Sequence, residues 1–287
     1  MDNSKLLRAL EKNKAQRSQT TEFELQSETK PVREKPRAAE IITDLLPQEH
    51  RLTRMGSLEL MPNPDPISKA DMKKNKLVYS GMKNRAVLNA YRELRIKLIE
   101  KNAVGSNASS QGGNMVVMLT SVDVRSNSIL TPMNLAISFA LDLNSSALLV
   151  DCNPYGSDLQ RLVTAPLSLG VTDYLQDRSL GLDRIIYPSG IDRVAVIPAG
   201  NETGISVEQF SSQSMEHLVY ELKNRYPDRF IVINTPPVLA NSEARVLSKF
   251  CDQSVITVPY GSASMDAIED AVEAIGAERV AGVVYQQ

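Results

Sequence analysis

Residues 119–136 read LTSVDVRSNSILTPMNLA. The run just before, Met115 to Leu119, is apolar and predicts a buried strand, and a helix carrying Asn134, Leu135 and Ala136 follows it. A strand that passes into a helix through a short polar turn is the frame of a phosphate-binding loop. Such a loop works because backbone N–H groups of a glycine-rich turn point at the phosphates, while a lysine adds a point charge. Between Thr120 and Leu130 there is no glycine and no lysine. The frame is present and the phosphate chemistry is absent. Pro132 is tolerated only in a first helical turn, where N–H groups are unpaired anyway, so it predicts a helix starting near residues 128–130. Asn127 or Ser128 can cap that start.

Outward from this stretch, apolar runs alternate with helical patterns. Strands are predicted near 115–120, 146–151, 194–197, 229–234, 254–259 and 280–285. Helices are predicted near 84–101, 129–142, 157–163, 171–177, 180–187, 212–226, 241–250 and 263–276. Strands that are apolar on both faces and separated by helices predict an α/β, doubly wound, mostly parallel sheet. Ligands of such sheets sit beyond the strand C-termini, and that edge is where Thr120, Asp151 and Asn234 fall.

Three landmarks carry a resemblance. The loop at Thr120–Ala136 aligns without a gap to the pattern T-S-x-x-P-G-E-G-K-[ST]-x-x-x-x-N-L-A. The segment ALLVDCNPYGSDLQRLV (147–163) aligns to a strand followed by D-x-D-x-R, and RFIVINTPPVLANSEARVLSKFCDQSVITV (229–258) to a strand, D-[TS]-P-P, a D-A-x-x-L helix and D-x-x-x-x-V. From about Met115 to Tyr285 the chain resembles the bacterial tyrosine autokinases of capsule and exopolysaccharide synthesis, P-loop ATPases related to septum-site and partition ATPases. The resemblance implies a P-loop NTPase-type fold. In that family ATP and Mg²⁺ are bound by the residues that differ here. Val124 stands for the proline and Arg125 and Asn127 for glycines. Ser128 stands for the lysine, Ile129 for the Mg²⁺-binding Ser/Thr, Asn153 for the second aspartate and Asn234 for the Walker-B aspartate. Asp151 is retained, and Tyr155 replaces the arginine.

These losses bear on chemistry. Ser128 carries no charge, Ile129 offers no oxygen, and Asn153 and Asn234 are neutral. A charge-assisted hydrogen bond contributes about 1.5–3 kcal/mol, so losing the lysine, the hydroxyl and two acids removes roughly 6 kcal/mol of binding and transition-state stabilisation. Thr120, Ser121, Arg125, Asn127, Ser128 and Ile129 are therefore a vestigial phosphate loop, and Asp151, Asn153 and Asn234 a vestigial catalytic set. No cofactor and no metal are expected. Arg125 is either a substitute cation or a solvated loop residue. Asp151 is either the one intact acid of the set or a carboxylate capping a nearby turn.

The chain of 287 residues has a net charge of −2 and a pI near 5.9, so no global basic field points to nucleic acid. No run of about 20 apolar residues predicts a membrane span. Cys152 and Cys251 read as small core residues, and His50 and His217 have no ligand spacing. Residues 4–17 form a short amphipathic pattern: a docking helix or a marginal solvated one. Residues 1–76 are read as that leader helix plus a mostly disordered linker, residues 77–287 as the kinase-like domain with its core from about 114, and 105–113 as a hinge. On the helix near 84–101, Arg92 and Arg95 match the family's subunit-packing motif E-x-x-R-x-x-R, while Asn89 replaces its glutamate. Tyr285 stands alone where the family carries a C-terminal tyrosine cluster.

The resemblance therefore implies a cytoplasmic protein, peripheral on the inner face of a bacterial membrane. Its expected partner is the cytoplasmic part of a membrane polysaccharide chain-length regulator, and Arg92 and Arg95 are either a retained interface, for that partner or for a homo-oligomer, or a solvated basic face. The expected role is that of a non-catalytic scaffold or regulator. The alternatives are an active tyrosine kinase with an atypical nucleotide site, and a positioning or partition-type ATPase.

Overall fold

In the computed structural model, described for residues 65–105, 115–124, 129–142, 145–156, 158–177, 179–201, 207–225, 229–261 and 263–286, Val116–Ser121 form a strand, β1, buried along its whole length. It lies deep in a seven-stranded sheet of order β3-β4-β2-β5-β1-β6-β7. The other strands are β2 (Ser146–Asp151), β3 (Tyr187–Pro188), β4 (Val194–Ile197), β5 (Arg229–Asn234), β6 (Gln253–Pro259) and β7 (Val280–Gln286). All pairings are parallel except β3 with β4. The fold is thus the mostly parallel α/β sheet that the apolar runs predict. The leader helix at 4–17, the linker up to 64, most of the hinge, and Arg125, Asn127 and Ser128 lie outside the described residues.

Because β1 is covered on both faces, its side chains feed two cores. Val116 and Met118 join one apolar cluster, and Met115, Val117 and Leu119 the other. The first is closed by α5 (Val171–Gln176), α7 (Gln213–Arg225), α8 (Glu243–Leu247) and α9 (Met265–Ile275). The second is closed by α1 (Lys69–Lys74), α2 (Arg85–Gly105), α3 (Leu130–Ala140) and the single turn α4 (Leu159–Leu162). A further short helix, α6 (Val207–Phe210), buries Phe210 in the first cluster. Every residue of α3 from Thr131 to Ala140 is buried. Its Phe139 stacks on Phe230 of β5 with centroids 4.1 Å apart. Pro132 falls in the first turn of α3, where its missing N–H costs no hydrogen bond.

Helix α2 packs on α3 through Leu88 and Leu98. Polar ties fix it: Arg95 Nη1 donates to the Ser138 carbonyl at 2.8 Å, and Gln253 Nε2 donates to the Leu98 carbonyl at 2.9 Å. Two residues of its apolar pattern, Val87 and Ile96, are 38% and 42% exposed and do not reach the core. Asp252 anchors the entry to β1, accepting from the Val116 N–H at 2.8 Å while pairing with Lys223 at 3.0 Å.

Four boundaries differ from the sequence reading. The polar N-terminal segment packs onto the domain from Asp65, so a boundary at 76 cuts through packed structure. Met72 is buried, and Asn134 bridges inward by accepting from the Val78 N–H at 2.9 Å and donating to the Lys76 carbonyl at 3.1 Å. The helix expected over 180–187 is a 3₁₀ turn, Leu182–Arg184, followed by β3. Pro188 lacks the N–H a helix needs and is tolerated on a sheet edge. The helix expected over 157–163 shrinks to α4. The one expected over 241–250 splits into α8 and a 3₁₀ turn, Ser248–Phe250. One close approach demands glycine: a Cβ on Gly170 would lie 2.1 Å from the Pro198 carbonyl oxygen.

Candidate functional site

The C-terminal ends of β1, β2 and β5 bring Thr120, Asp151 and Asn234 together. Parallel register aligns Asp151 with Asn234 and Leu119 with Asn234. All three polar side chains are buried, Asp151 completely. Asn234 Nδ2 donates to Asp151 Oδ1 at 2.8 Å, and the same oxygen accepts the Asn153 N–H at 3.1 Å. Asn153 in turn closes its own turn: its Oδ1 accepts the Tyr155 N–H at 3.2 Å, and its Nδ2 donates to the Gly156 carbonyl at 2.9 Å. Oδ1 thus receives one side-chain amide and one backbone amide, whereas the buried Oδ2 receives no hydrogen bond from the described residues. Among the described residues no group of three His, Cys, Asp or Glu side chains is placed to hold a metal.

On the β1 side, Thr120 Oγ1 donates to the Pro236 carbonyl at 2.8 Å and Thr257 Oγ1 donates to the Thr120 carbonyl at 3.2 Å. Ser121 Oγ donates to the Asp123 carbonyl at 3.1 Å. These hydroxyls are spent on the loops that leave the sheet. Ile129 is 4% exposed and packs in the second apolar cluster, with Leu119 and Met133. A hydroxyl at that position would enter an apolar layer.

Sequence reasoning missed one feature of this edge. The phenol of Tyr155 donates a short hydrogen bond to Oε1 of Glu243, a carboxylate only 2% exposed on α8. The bond to Glu243 is the main cause that raises the Tyr155 pKa above its ordinary value, with partial burial and the negative charge of Glu243 adding to it. The signal was present in the sequence: Tyr155 occupies the position of an arginine and Glu243 that of an aspartate in the aligned patterns. A neutral phenol thereby ties the loop after β2 to α8. Arg92 is exposed on α2, whereas Arg95 is half-buried and engaged with Ser138, so the two arginines differ in availability.

No protein-family model matches the chain. Tyrosine-protein kinase YwqD of Bacillus subtilis (strain 168) is 26% identical over 159 residues, which is 55% of this chain and 65% of that protein. The match therefore spans a little under two thirds of the Bacillus kinase. Tyrosine-protein kinase CpsD of Streptococcus agalactiae is 25% identical over 174 residues, 60% of this chain and 74% of that one. Its relatives are bacterial tyrosine kinases. Solved structures share the fold. The chimerical protein CapA2B2 superposes with a TM-score of 0.62 at 19% identity, covering 83% of this chain and 98% of that one. The kinase domain of Escherichia coli tyrosine kinase ETK superposes with a TM-score of 0.60 at 19% identity, covering 81% and 92%. No described helix is long and apolar enough to cross a membrane.

Proposed function

We propose that this relative of bacterial tyrosine kinases serves capsule or exopolysaccharide synthesis without transferring phosphate. It acts as a scaffold or regulator bound to the cytoplasmic part of a membrane chain-length regulator, at the inner face of the membrane. The observation that carries the reading is the 2.8 Å bond from Asn234 Nδ2 to Asp151 Oδ1. Two carboxylates in that contact would repel and call for a cation between them. An amide in the second place supplies a hydrogen to Oδ1 where a second negative charge would stand, while the buried Oδ2 of Asp151 takes no hydrogen bond from the described residues. This donor set does not suit Mg²⁺, which takes hard oxygen ligands in near-ideal octahedral geometry.

The neighbouring positions favour the same reading. Ile129 puts an apolar side chain where the family's metal-binding hydroxyl belongs, and its burial makes it part of the core. Ser128 brings no positive charge to the loop. Without the cation and the lysine, the charge that develops on a transferring phosphoryl group has no counterpart.

Isothermal titration of the chain with ATP, with and without Mg²⁺, tests this. The expected result is no magnesium-dependent heat at millimolar nucleotide. Binding at micromolar affinity that disappears with a chelator overturns the proposal.

A further inference from the structure

A groove of about 930 Å³ runs between α2 and β7 on the face opposite α9, with Val87, Tyr91 and Leu94 on one wall and Ala281 and Val284 on the other. It reaches Leu130 and Thr131 at the start of α3 and Gln286 at the end of β7, but none of Thr120, Asp151 and Asn234 lines it. Strand β7 is the last of the sheet, and no described strand pairs with its outer side. A free strand edge offers N–H and C=O groups at strand spacing, which only another extended backbone can match. Val87 and Tyr285 are 38% and 60% exposed beside that edge.

The two helices that flank the edge carry opposite charge. Helix α2 holds five basic and two acidic side chains (Arg85, Arg92, Arg95, Lys97 and Lys101 against Glu93 and Glu100). Helix α9, on the other face of the sheet, holds Asp266, Glu269, Asp270 and Glu273 and no base, and all four acids are exposed. Two copies of the chain joined antiparallel through β7 would be related by a two-fold axis normal to the sheet. That sets α9 against α9 and α2 against α2, acid facing acid and base facing base. A segment of another polypeptide escapes this conflict. Side chains of an added strand alternate between the two faces. Those facing the groove meet apolar walls, and those on the opposite face lie in the negative field of the exposed acids of α9.

We propose that the β7 edge binds an extended segment of a partner protein whose residues alternate between apolar and basic, adding an eighth strand with its apolar side chains in the α2 groove. The inference is independent of whether the phosphate site is inert.

The test uses the full chain and a fluorescent synthetic peptide of about eight residues alternating valine and lysine, compared with one alternating valine and glutamate. Anisotropy reads affinity, and hydrogen–deuterium exchange reads protection of residues 280–286. The expected result is binding of the valine–lysine peptide about tenfold or more tighter than the valine–glutamate peptide, slowed exchange in β7, and a preference reversed by Glu269→Lys with Glu273→Lys. Gly282→Trp should abolish binding while keeping the thermal transition, because a Cβ there meets nothing within 4 Å. Equal affinity for both peptides, binding without protection of β7, or no binding of either overturns the proposal. So does a chain that dimerises with β7 already protected.

Discussion

At the residue scale, the Asp151–Asn234 contact decides how the site responds to charge. Asn234→Asp replaces the donating amide with a second carboxylate against a fully buried one. Destabilisation by about 3 kcal/mol near neutral pH is expected from the unpaired buried charge. The new pair would share a proton, so its folded-state pKa lies above the ordinary aspartate value of about 3.9. The sign follows: the variant's full stability is present below the unfolded value and is lost as pH rises through the raised one. Denaturant unfolding of both proteins across acidic to neutral pH checks this. Millimolar Mg²⁺ should raise the Tm of the variant, which gains an oxygen ligand, and leave that of the natural chain unchanged. A natural chain stabilised by Mg²⁺ would count against a metal-free site.

At the level of elements, α1 shows where the domain begins. A chain starting at residue 65 keeps Met72 in the core and the Lys76 carbonyl on Asn134, whereas one starting at 77 loses both. The longer version should be more stable by about 2–5 kcal/mol, the usual effect of removing a large buried side chain, measured by urea denaturation of the two truncations. The polar composition of this stretch hid its packing, because a single methionine among lysines gives no periodic signal. Strands were legible because β1, β2 and β5 are apolar on both faces, and all six predicted strands differ by no more than a residue at either end. The strand β3 was not legible: two residues, one of them proline, give no pattern, and only pairing with β4 defines it. For the site, aligned spacing located Asp151, Asn153 and Asn234. It could not show that the amide of Asn234 turns toward Asp151, or that Tyr155 spans to Glu243. Those contacts join residues separated by more than eighty positions and depend on strand register.

For the whole molecule, both thiols belong to the first apolar layer but lie in different surroundings. Cys152 is completely buried at the end of β2, and burial pushes its thiol well above the ordinary value near 9, with the adjacent Asp151 adding to the shift. Cys251 is raised by burial too, and its thiol donates to the Leu247 carbonyl at 3.2 Å. Raised folded-state values mean that stability is fully present below the unfolded value and falls as pH climbs above about 9. A disulfide-exchange reagent at pH 8 should therefore label Cys152 no faster than the protein unfolds, and rapid native-state labelling of it would contradict the packing. The strand order has a temporal consequence. β1 lies between β5 and β6, with Val116 aligned to Ile231 and Val117 to Gln253. A ribosome emitting this chain must make more than a hundred further residues before either neighbour of β1 exists. Until then β1 and the wholly apolar side of α3 have no sheet to join. The nascent protein thus waits with its most water-averse segments unpaired, a long-range topology that folds slowly and depends on protection from aggregation during synthesis.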